Sequence, residues 1–394
     1  MDSTTPRLVR ALADRIERED TLYRQKLTDI AATLDDVILM GLGDPDAPTP
    51  AHVKAAAIQA IEDNQTHYTH PAGMPALRTA IAAMLERDYG LDYTRDEIMV
   101  TAGTQEGVML CALAFLNPGD EMMVPAPRFT SYDTAIALAG GKLVDIPTVE
   151  ADDFAMNPDT IESLITDRTR VLVLITPGNP TGAVTPPDAI RRIAEICKAH
   201  DIIVISDEIY GEILFDGAEH LSIATLPGMR ERTITMNGFS KSHSMTGWRI
   251  GYLAAPASVI GRLVEPRHAL SINTSTISQH AALAAASGRH EAVTDIIDTY
   301  KARRAVLLPG LEKLGFSYVK GAGSFYVYTN ISASGLAAPE FCERMLREAR
   351  VMTSPGTLFA DSDDRWVRFS LLQPIPRIKE ALARIEEAKD RIFA

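Results

Sequence analysis

Thr233-Ile234-Thr235-Met236-Asn237-Gly238-Phe239-Ser240-Lys241 reads as a short strand running into a turn that carries a lysine. Gly247-Trp248-Arg249-Ile250-Gly251 follows, its arginine eight positions after that lysine (249 − 241). The same pattern occurs twice upstream. The apolar run 171–175 leads into Thr176-Pro177-Gly178-Asn179-Pro180-Thr181-Gly182, and the run 202–205 leads into Ser206-Asp207-Glu208-Ile209-Tyr210. Further short runs at 98–100, 121–124, 142–146 and 250–254 also read as strands, with helix-period segments between several of them. The clearest helix is expected to start with Thr185 as N-cap, Pro186 in the first helical position and Asp188 in the first turn. Ile190, Ile193, Ala194 and Cys197 make its apolar stripe. Such alternation implies an α/β fold with helices on both faces of a mostly parallel sheet. Ligands of such sheets sit beyond the carboxyl ends of the strands, and Asn179, Asp207 and Lys241 each follow a strand.

From about residue 291 the pattern changes. A long helical stretch leads to Ser324-Phe325-Tyr326-Val327-Tyr328, read as a strand. A helix at 340–350, a strand at 365–371 and a final helix at 375–392 follow. We read three parts: residues 1–45, a segment packing with the small domain; 46–290, a large domain; and 291–394, a smaller α/β domain. Leu8, Leu12 and Ile16 recur at helical spacing and suggest an N-terminal helix against the body or a partner subunit. No internal repeat interrupts this order.

Composition narrows the function classes. At 394 residues the chain can bury a large core, and 46% hydrophobic with 23% charged residues is an ordinary globular balance. A net charge of −13 without a basic tract argues against nucleic acid. Cys111, Cys197 and Cys342 are odd in number and widely separated, so they suit neither a disulfide framework nor a zinc site. Cys197, on an apolar helix face, is expected to be a core thiol. A reducing cytoplasm fits. No apolar run reaches membrane-spanning length, and the first residues lack the apolar stretch of a signal peptide. Asp361-Ser362-Asp363-Asp364 is expected to be a solvated turn rather than a metal loop.

A lysine beside a phosphate-binding guanidinium is what pyridoxal phosphate requires of a protein, because the cofactor is held as a Schiff base and by its phosphate. With Tyr68 in His67-Tyr68-Thr69-His70-Pro71-Ala72-Gly73, the motifs together resemble the class I/II aminotransferases, the fold-type I pyridoxal-phosphate enzymes, from about residue 39 to the C-terminus. The resemblance implies a large domain with a mostly parallel seven-stranded sheet flanked by helices, plus a smaller α/β domain. It also implies a homodimer that moves an amino group from an L-amino acid to a 2-oxo acid by a ping-pong route through a Lys241 Schiff base.

Residue by residue, Lys241 is the expected Schiff-base amine and proton shuttle. Asp207 would pair with the cofactor's ring nitrogen and keep the ring cationic, and Tyr210 and Asn179 would bond its phenolic oxygen. Arg249, Ser240 and the turn Gly103-Thr104-Gln105 at a helix start would hold the phosphate. The resemblance adds Tyr68, reaching the neighbouring subunit's phosphate, and Phe129, stacking on the ring. Arg368 in Trp366-Val367-Arg368-Phe369-Ser370 would take the substrate α-carboxylate, aided by Asn179 and Gly43. Many family members carry a serine three positions before the lysine; here that residue is Gly238, so one phosphate donor is missing or replaced. His67, His70 and His243 receive no catalytic role, and no metal-ligand spacing occurs.

Two rivals stay open. The same residues serve a lyase or decarboxylase of this fold, since the bond broken is the one held perpendicular to the ring. A non-catalytic pyridoxal-phosphate-binding module of a transcription regulator would need a basic DNA-binding domain, and only about 40 residues of mixed charge precede the first motif. Arg128 is read either as a contact for an acidic substrate side chain or as a surface charge at the mouth. Leu42 and the N-terminal helix would line the pocket and favour apolar side chains.

Overall fold

A computed structural model describes residue 16, residues 21–288 and residues 291–393. Among the described residues, eight strands precede residue 291: β1 (Ile38–Leu39), β2 (Ile98–Thr101), β3 (Glu121–Ala126), β4 (Lys142–Pro147), β5 (Thr169–Ile175), β6 (Ile203–Asp207), β7 (Thr233–Gly238) and β8 (Gly251–Ala254). β2 to β8 form one seven-stranded sheet in the order β2-β8-β7-β6-β5-β3-β4. From β4 to β7 neighbours are parallel; β8 is antiparallel to both β7 and β2. This is the expected architecture.

Alternate residues of β5 serve two cores. Val171 and Val173 join Cys111, Ala135 and Ile136 on one face, while Leu172 and Leu174 join Ile190, Ile193 and Cys197 on the other. A strand covered on both sides reads as a continuous apolar run rather than an alternating one, which is why 171–175 was conspicuous. Each such side chain contributes about 1.5–3 kcal/mol on burial. With both faces closed by helices, only the strand ends remain open to carry chemistry.

The second body holds β9 (Ser317–Tyr318), β10 (Tyr326–Asn330), β11 (Val351–Met352), β12 (Ser354–Pro355) and β13 (Trp366–Ser370). β12-β13-β10-β9 form an antiparallel sheet packed with the helices Glu291–Lys313, Ala338–Ala349 and Ile375–Phe393. The chain's early part joins it: β1 pairs in parallel with β11, and Ile38 and Met40 enter the same core.

Three local expectations need correction or relocation. The helix expected from Pro186 runs Pro187–Ala199, with Pro186 as its cap residue. Thr185 does not cap it, because its amide donates to Thr176 Oγ1 and its hydroxyl accepts the Met156 amide. The strand expected from Ser324 starts at Tyr326, since Ser324 has φ +57° and its amide donates to Ile213 O. The helix suggested by Leu8, Leu12 and Ile16 lies outside the described residues, apart from an exposed Ile16. The first described helix is Thr21–Ala32, whose Leu27 and Ile30 pack on Leu346. No described helix is long and apolar enough to cross a membrane.

Candidate active site

β5, β6 and β7 are adjacent and parallel, so the turns after them emerge side by side. Asp207 is the last residue of β6 and is buried. Its carboxylate accepts the Tyr132 hydroxyl at 2.7 Å and the Ile209 amide at 3.3 Å. Burial pushes its pKa up to about 6, against the lowering effect of the Tyr132 hydrogen bond. A cation placed beside it would bring the value back down.

Glu208 braces this turn from the other side of the backbone. It is fully buried and accepts the hydroxyls of Ser206 and Ser222, at 2.7 and 2.6 Å, with His220 Nε2 at 3.0 Å. Such a satisfied network fixes the segment that carries both Asp207 and Tyr210.

Lys241 lies three residues past β7, and its ammonium donates to Gly43 O at 2.7 Å. Burial holds its pKa below the usual lysine value; Tyr326 opposes this and Arg368 reinforces it. A desolvated amine beside other cations is the form that becomes nucleophilic near neutrality. Gly238, in the position where many relatives of this pattern carry serine, is packed closely. A Cβ there would come within 2.9 Å of Gly251 Cα, so a side chain does not fit without a backbone shift.

The anion cradle is built at the start of the helix Thr104–Phe115. Gly103 has φ +75° and provides no side-chain cap, which leaves the first helical amides facing outward. Arg249 also adopts φ +51° and is exposed. Its guanidinium donates to Thr246 O at 3.0 Å and lies so near Gly103 that a Cβ on that residue would sit 2.7 Å from Nη2. Thr104 is half-buried, Gln105 exposed and Ser240 buried. A helix N-terminus, a guanidinium and hydroxyls together fit a phosphate.

The opposite wall comes from the second body. Arg368 is buried on β13; its Nη1 donates to Asn179 Oδ1 at 2.8 Å and its Nη2 to Gly41 O. Its Nε is buried without a hydrogen-bond partner among the described residues. The guanidinium carbon lies 4.1 Å from the Tyr326 ring centre and 4.4 Å from that of Phe359. A buried fork with an unused donor and, among the described residues, no carboxylate partner suits a ligand carboxylate. Tyr210 is buried, and its hydroxyl meets that of Tyr326 at 3.3 Å. Burial raises its pKa well above the usual phenol value.

The structure therefore brings Asn179, Asp207, Tyr210, Lys241, Arg368 and Gly43 to one place and puts Gly103 beside Arg249. Phe129 is 39% exposed, at the turn before the helix Ser131–Ala139. Tyr68 is 79% exposed and, among the described residues, forms no hydrogen bond with the site of its own chain. Arg128 overturns both readings made of it. It is fully buried, its Nε and Nη2 each 2.8 Å from Asp133 and its Nη1 2.7 Å from Asp145. It is neither a surface charge nor free to meet a substrate.

Three contributors escaped the sequence reading: Tyr132 on Asp207, and Tyr326 and Phe359 on Arg368. Tyr132 follows Phe129 by about one helical turn, a weak signal; the other two meet Arg368 only through folding. All three cysteines are buried free thiols, their pKa values pushed up to about 12 by burial. Asp361 accepts the Tyr328 hydroxyl and Asp363 pairs with Arg365, and no metal-ligating cluster occurs among the described residues.

Comparison with known proteins agrees with this geometry. The family described as aminotransferase class I and II matches residues 35–385. An aromatic-amino-acid aminotransferase of Thermococcus litoralis is 38% identical over 380 residues, 96% of this chain and 98% of that protein. An aspartate aminotransferase of Pyrococcus abyssi is 39% identical over the same lengths. Among solved structures, an aromatic aminotransferase from Pyrococcus horikoshii superposes with a TM-score of 0.88 at 40% identity, covering 93% of this chain and all 100% of that one. An aspartate aminotransferase from Thermus thermophilus with maleate gives 0.90 at 34% identity, covering 96% and 99%.

Proposed function

Since the chain belongs to the class I and II aminotransferases, and is a pyridoxal-phosphate-dependent enzyme that passes an amino group from an amino acid to a 2-oxo acid, we propose that Lys241 is its catalytic amine and Arg368 its α-carboxylate clamp. The observation that carries this is the link from Arg368 Nη1 to Asn179 Oδ1 at 2.8 Å. It ties the carboxylate fork to a strand-end turn beside those of Asp207 and Lys241, so an amino acid held by its carboxylate presents its amine toward the lysine.

The donors present fit the cofactor. Thr104, Gln105, Gly103, Ser240 and Arg249 would hold its phosphate, Asp207 its ring nitrogen, and Asn179 and Tyr210 its phenolic oxygen, with Phe129 against the ring. When bound, it supplies an electron sink for the bond broken at Cα. Lys241, freed once substrate is in place, would take the Cα proton and return it two atoms along, across the substrate nitrogen. Asp207 stays ionised beside a positive ring, while Tyr132 and the Glu208 network keep its carboxylate aimed. Arg368 and Asn179 orient the substrate so that the Cα–H bond stands perpendicular to the ring. Arg368 is buried and Lys241 half-buried, which limits the access of water to that bond.

The reading extends to assembly and setting. The enzyme works as a homodimer in the cytoplasm, where its buried thiols stay reduced. Tyr68 of the partner subunit completes each phosphate site. Support comes from the loop 66–73, which Asn273 and Gln279 anchor by donating to Thr69 Oγ1 at 3.1 and 2.9 Å while Tyr68 projects outward. Ile58, Ile61, Leu270 and Ile272 are exposed and would be covered by the second copy. The chain divides near residues 45 and 290, a partition supported by the separate sheets and by the pairing of β1 with β11. Because Arg128 is consumed by two aspartates and Leu42 is exposed beside Gly43, the donors preferred are those with apolar or aromatic side chains.

A panel of amino acids, each mixed with the enzyme without acceptor, tests the reaction class. One equivalent of 2-oxo acid per site, with turnover resuming on adding a 2-oxo acid, supports transamination. Continuous release of ammonia would indicate a lyase. Mixed copies test the shared site: Tyr68→Ala and Lys241→Ala chains, each inactive alone, should regain part of the activity when hybridised.

A further inference from the structure

Tyr326 touches three parts of the site that otherwise come from separate segments. It opens β10 opposite Ser370, and Tyr328 stands opposite Arg368. That register makes Tyr326 the diagonal neighbour of Arg368 on one face of the sheet, within reach of a long side chain. Its ring centre is 4.1 Å from the guanidinium carbon, with Phe359 as a second ring at 4.4 Å. Its hydroxyl is 3.3 Å from that of Tyr210. That hydroxyl also fills the place a Cβ on Gly43 would take, well inside contact distance, while the next ring atom, Cζ, would be 3.4 Å away. Gly43 in turn accepts the Lys241 ammonium through its carbonyl.

We propose that Tyr326 is a positioning residue for the transamination: its ring fixes the plane of the Arg368 fork, and its hydroxyl sets how closely the Gly41–Gly43 strap lies over Lys241. The inference rests on the roles given to Arg368 and Lys241 above. An unrestrained arginine would lose several rotamers each time it bound a carboxylate. Held by two rings, Arg368 has lost them already and keeps its charge unpaired by any carboxylate among the described residues, ready for the substrate. Gly43 follows from the same geometry, because only hydrogen fits under the Tyr326 hydroxyl.

The two functions separate by substitution. Tyr326→Phe keeps the ring and removes the hydroxyl; Tyr326→Leu removes the ring. Gly43→Ala pushes a methyl into the hydroxyl, and the double variant Gly43→Ala/Tyr326→Phe removes the obstacle. The readout is equilibrium binding of a 2-methyl amino acid, which has no Cα hydrogen and cannot complete the reaction, to the cofactor-loaded enzyme by calorimetry, with kcat and KM alongside. We expect Tyr326→Phe to bind within about threefold of the parent. Tyr326→Leu should bind about tenfold or more weakly, with KM raised and kcat little changed, as loss of a restrained cation over a ring predicts. Gly43→Ala should bind poorly, and the double variant should recover to the level of Tyr326→Phe. Parent-like binding by Tyr326→Leu, or no recovery in the double variant, would overturn the proposal. If instead the parent failed to bind the 2-methyl amino acid, the fault would lie with the roles of Arg368 and Lys241.

Discussion

The two walls of the site are built differently. The wall proposed for the cofactor rises from three neighbouring parallel strands of one sheet, each ending in a short turn that carries its own polar group. The wall proposed for the substrate is assembled from Gly41, Gly43, Tyr326, Phe359 and Arg368, scattered over more than half the chain. The first wall is held by backbone ladders with helices on both faces. The second is held by side-chain contacts across a small sheet and an irregular strap. The first should therefore tolerate loss of neighbours and fail only when the chemical group itself is removed. The second should respond to substitutions that change shape alone.

Removing the amine is the severest test of that contrast. Lys241→Ala should lower kcat by about 10⁴-fold or more, since both the covalent link and the proton carrier go, while the fold and thermal midpoint stay close to the parent's. If a free amine added to the solution rescues part of the rate, the wall around the gap is intact. A result in which Lys241→Ala keeps most of its activity would break the comparison at its root.

Arg368→Lys comes next. A lysine keeps the charge but loses the planar fork, the Asn179 contact and the stacking between rings, so kcat/KM should fall by about 10²-fold, or about 2.7 kcal/mol, mostly through KM. Steady-state kinetics with both substrates checks this, because amino acid and 2-oxo acid share the carboxylate and must be affected alike.

Arg128→Met sharpens the distinction between site and scaffold. Removing this buried cation breaks its ion pairs with Asp133 and Asp145, so stability should fall by about 3 kcal/mol in denaturant unfolding. The ratio of kcat/KM for an acidic donor to that for an apolar one should not change. A selective loss of acidic donors would restore the reading that Arg128 meets the substrate.

The smallest effect is in pH dependence. In the cofactor-free protein Asp207 has a pKa of about 6 against an ordinary 3.8. The folded state therefore binds the proton more tightly than the unfolded chain. Its contribution to stability is complete below pH 3.8 and is lost as the pH rises through about 6. Asp207→Asn, which cannot titrate, should flatten the change in thermal midpoint across that window in the cofactor-free form. Loading the parent with cofactor should flatten it too, because a positive ring holds the carboxylate ionised.

Much of the first wall was legible in the chain. Runs such as 171–175 stand out because both faces of β5 are buried, and the turns that follow carry Asn179, Asp207 and Lys241 within a few residues of the strand ends. The second wall was legible only at Arg368 and Gly43. Tyr326 and Phe359 act through register and packing, and nothing at positions 326 or 359 announces an arginine elsewhere. Arg128 was misread for the same reason. A lone arginine after Pro127 looks solvated until Asp133 and Asp145, the latter on β4, close around it. Ser324 was taken into a strand because its neighbours alternate well, yet its left-handed backbone makes that strand start two residues later than expected.

The most direct measurement is an absorbance scan of the purified protein with pyridoxal phosphate, before and after adding an amino acid, alongside Lys241→Ala. The account predicts a visible band that depends on Lys241, disappears on adding a donor as the aminated cofactor forms, and returns with a 2-oxo acid. The same band in Lys241→Ala, or a band in the parent that no amino acid alters, would contradict it.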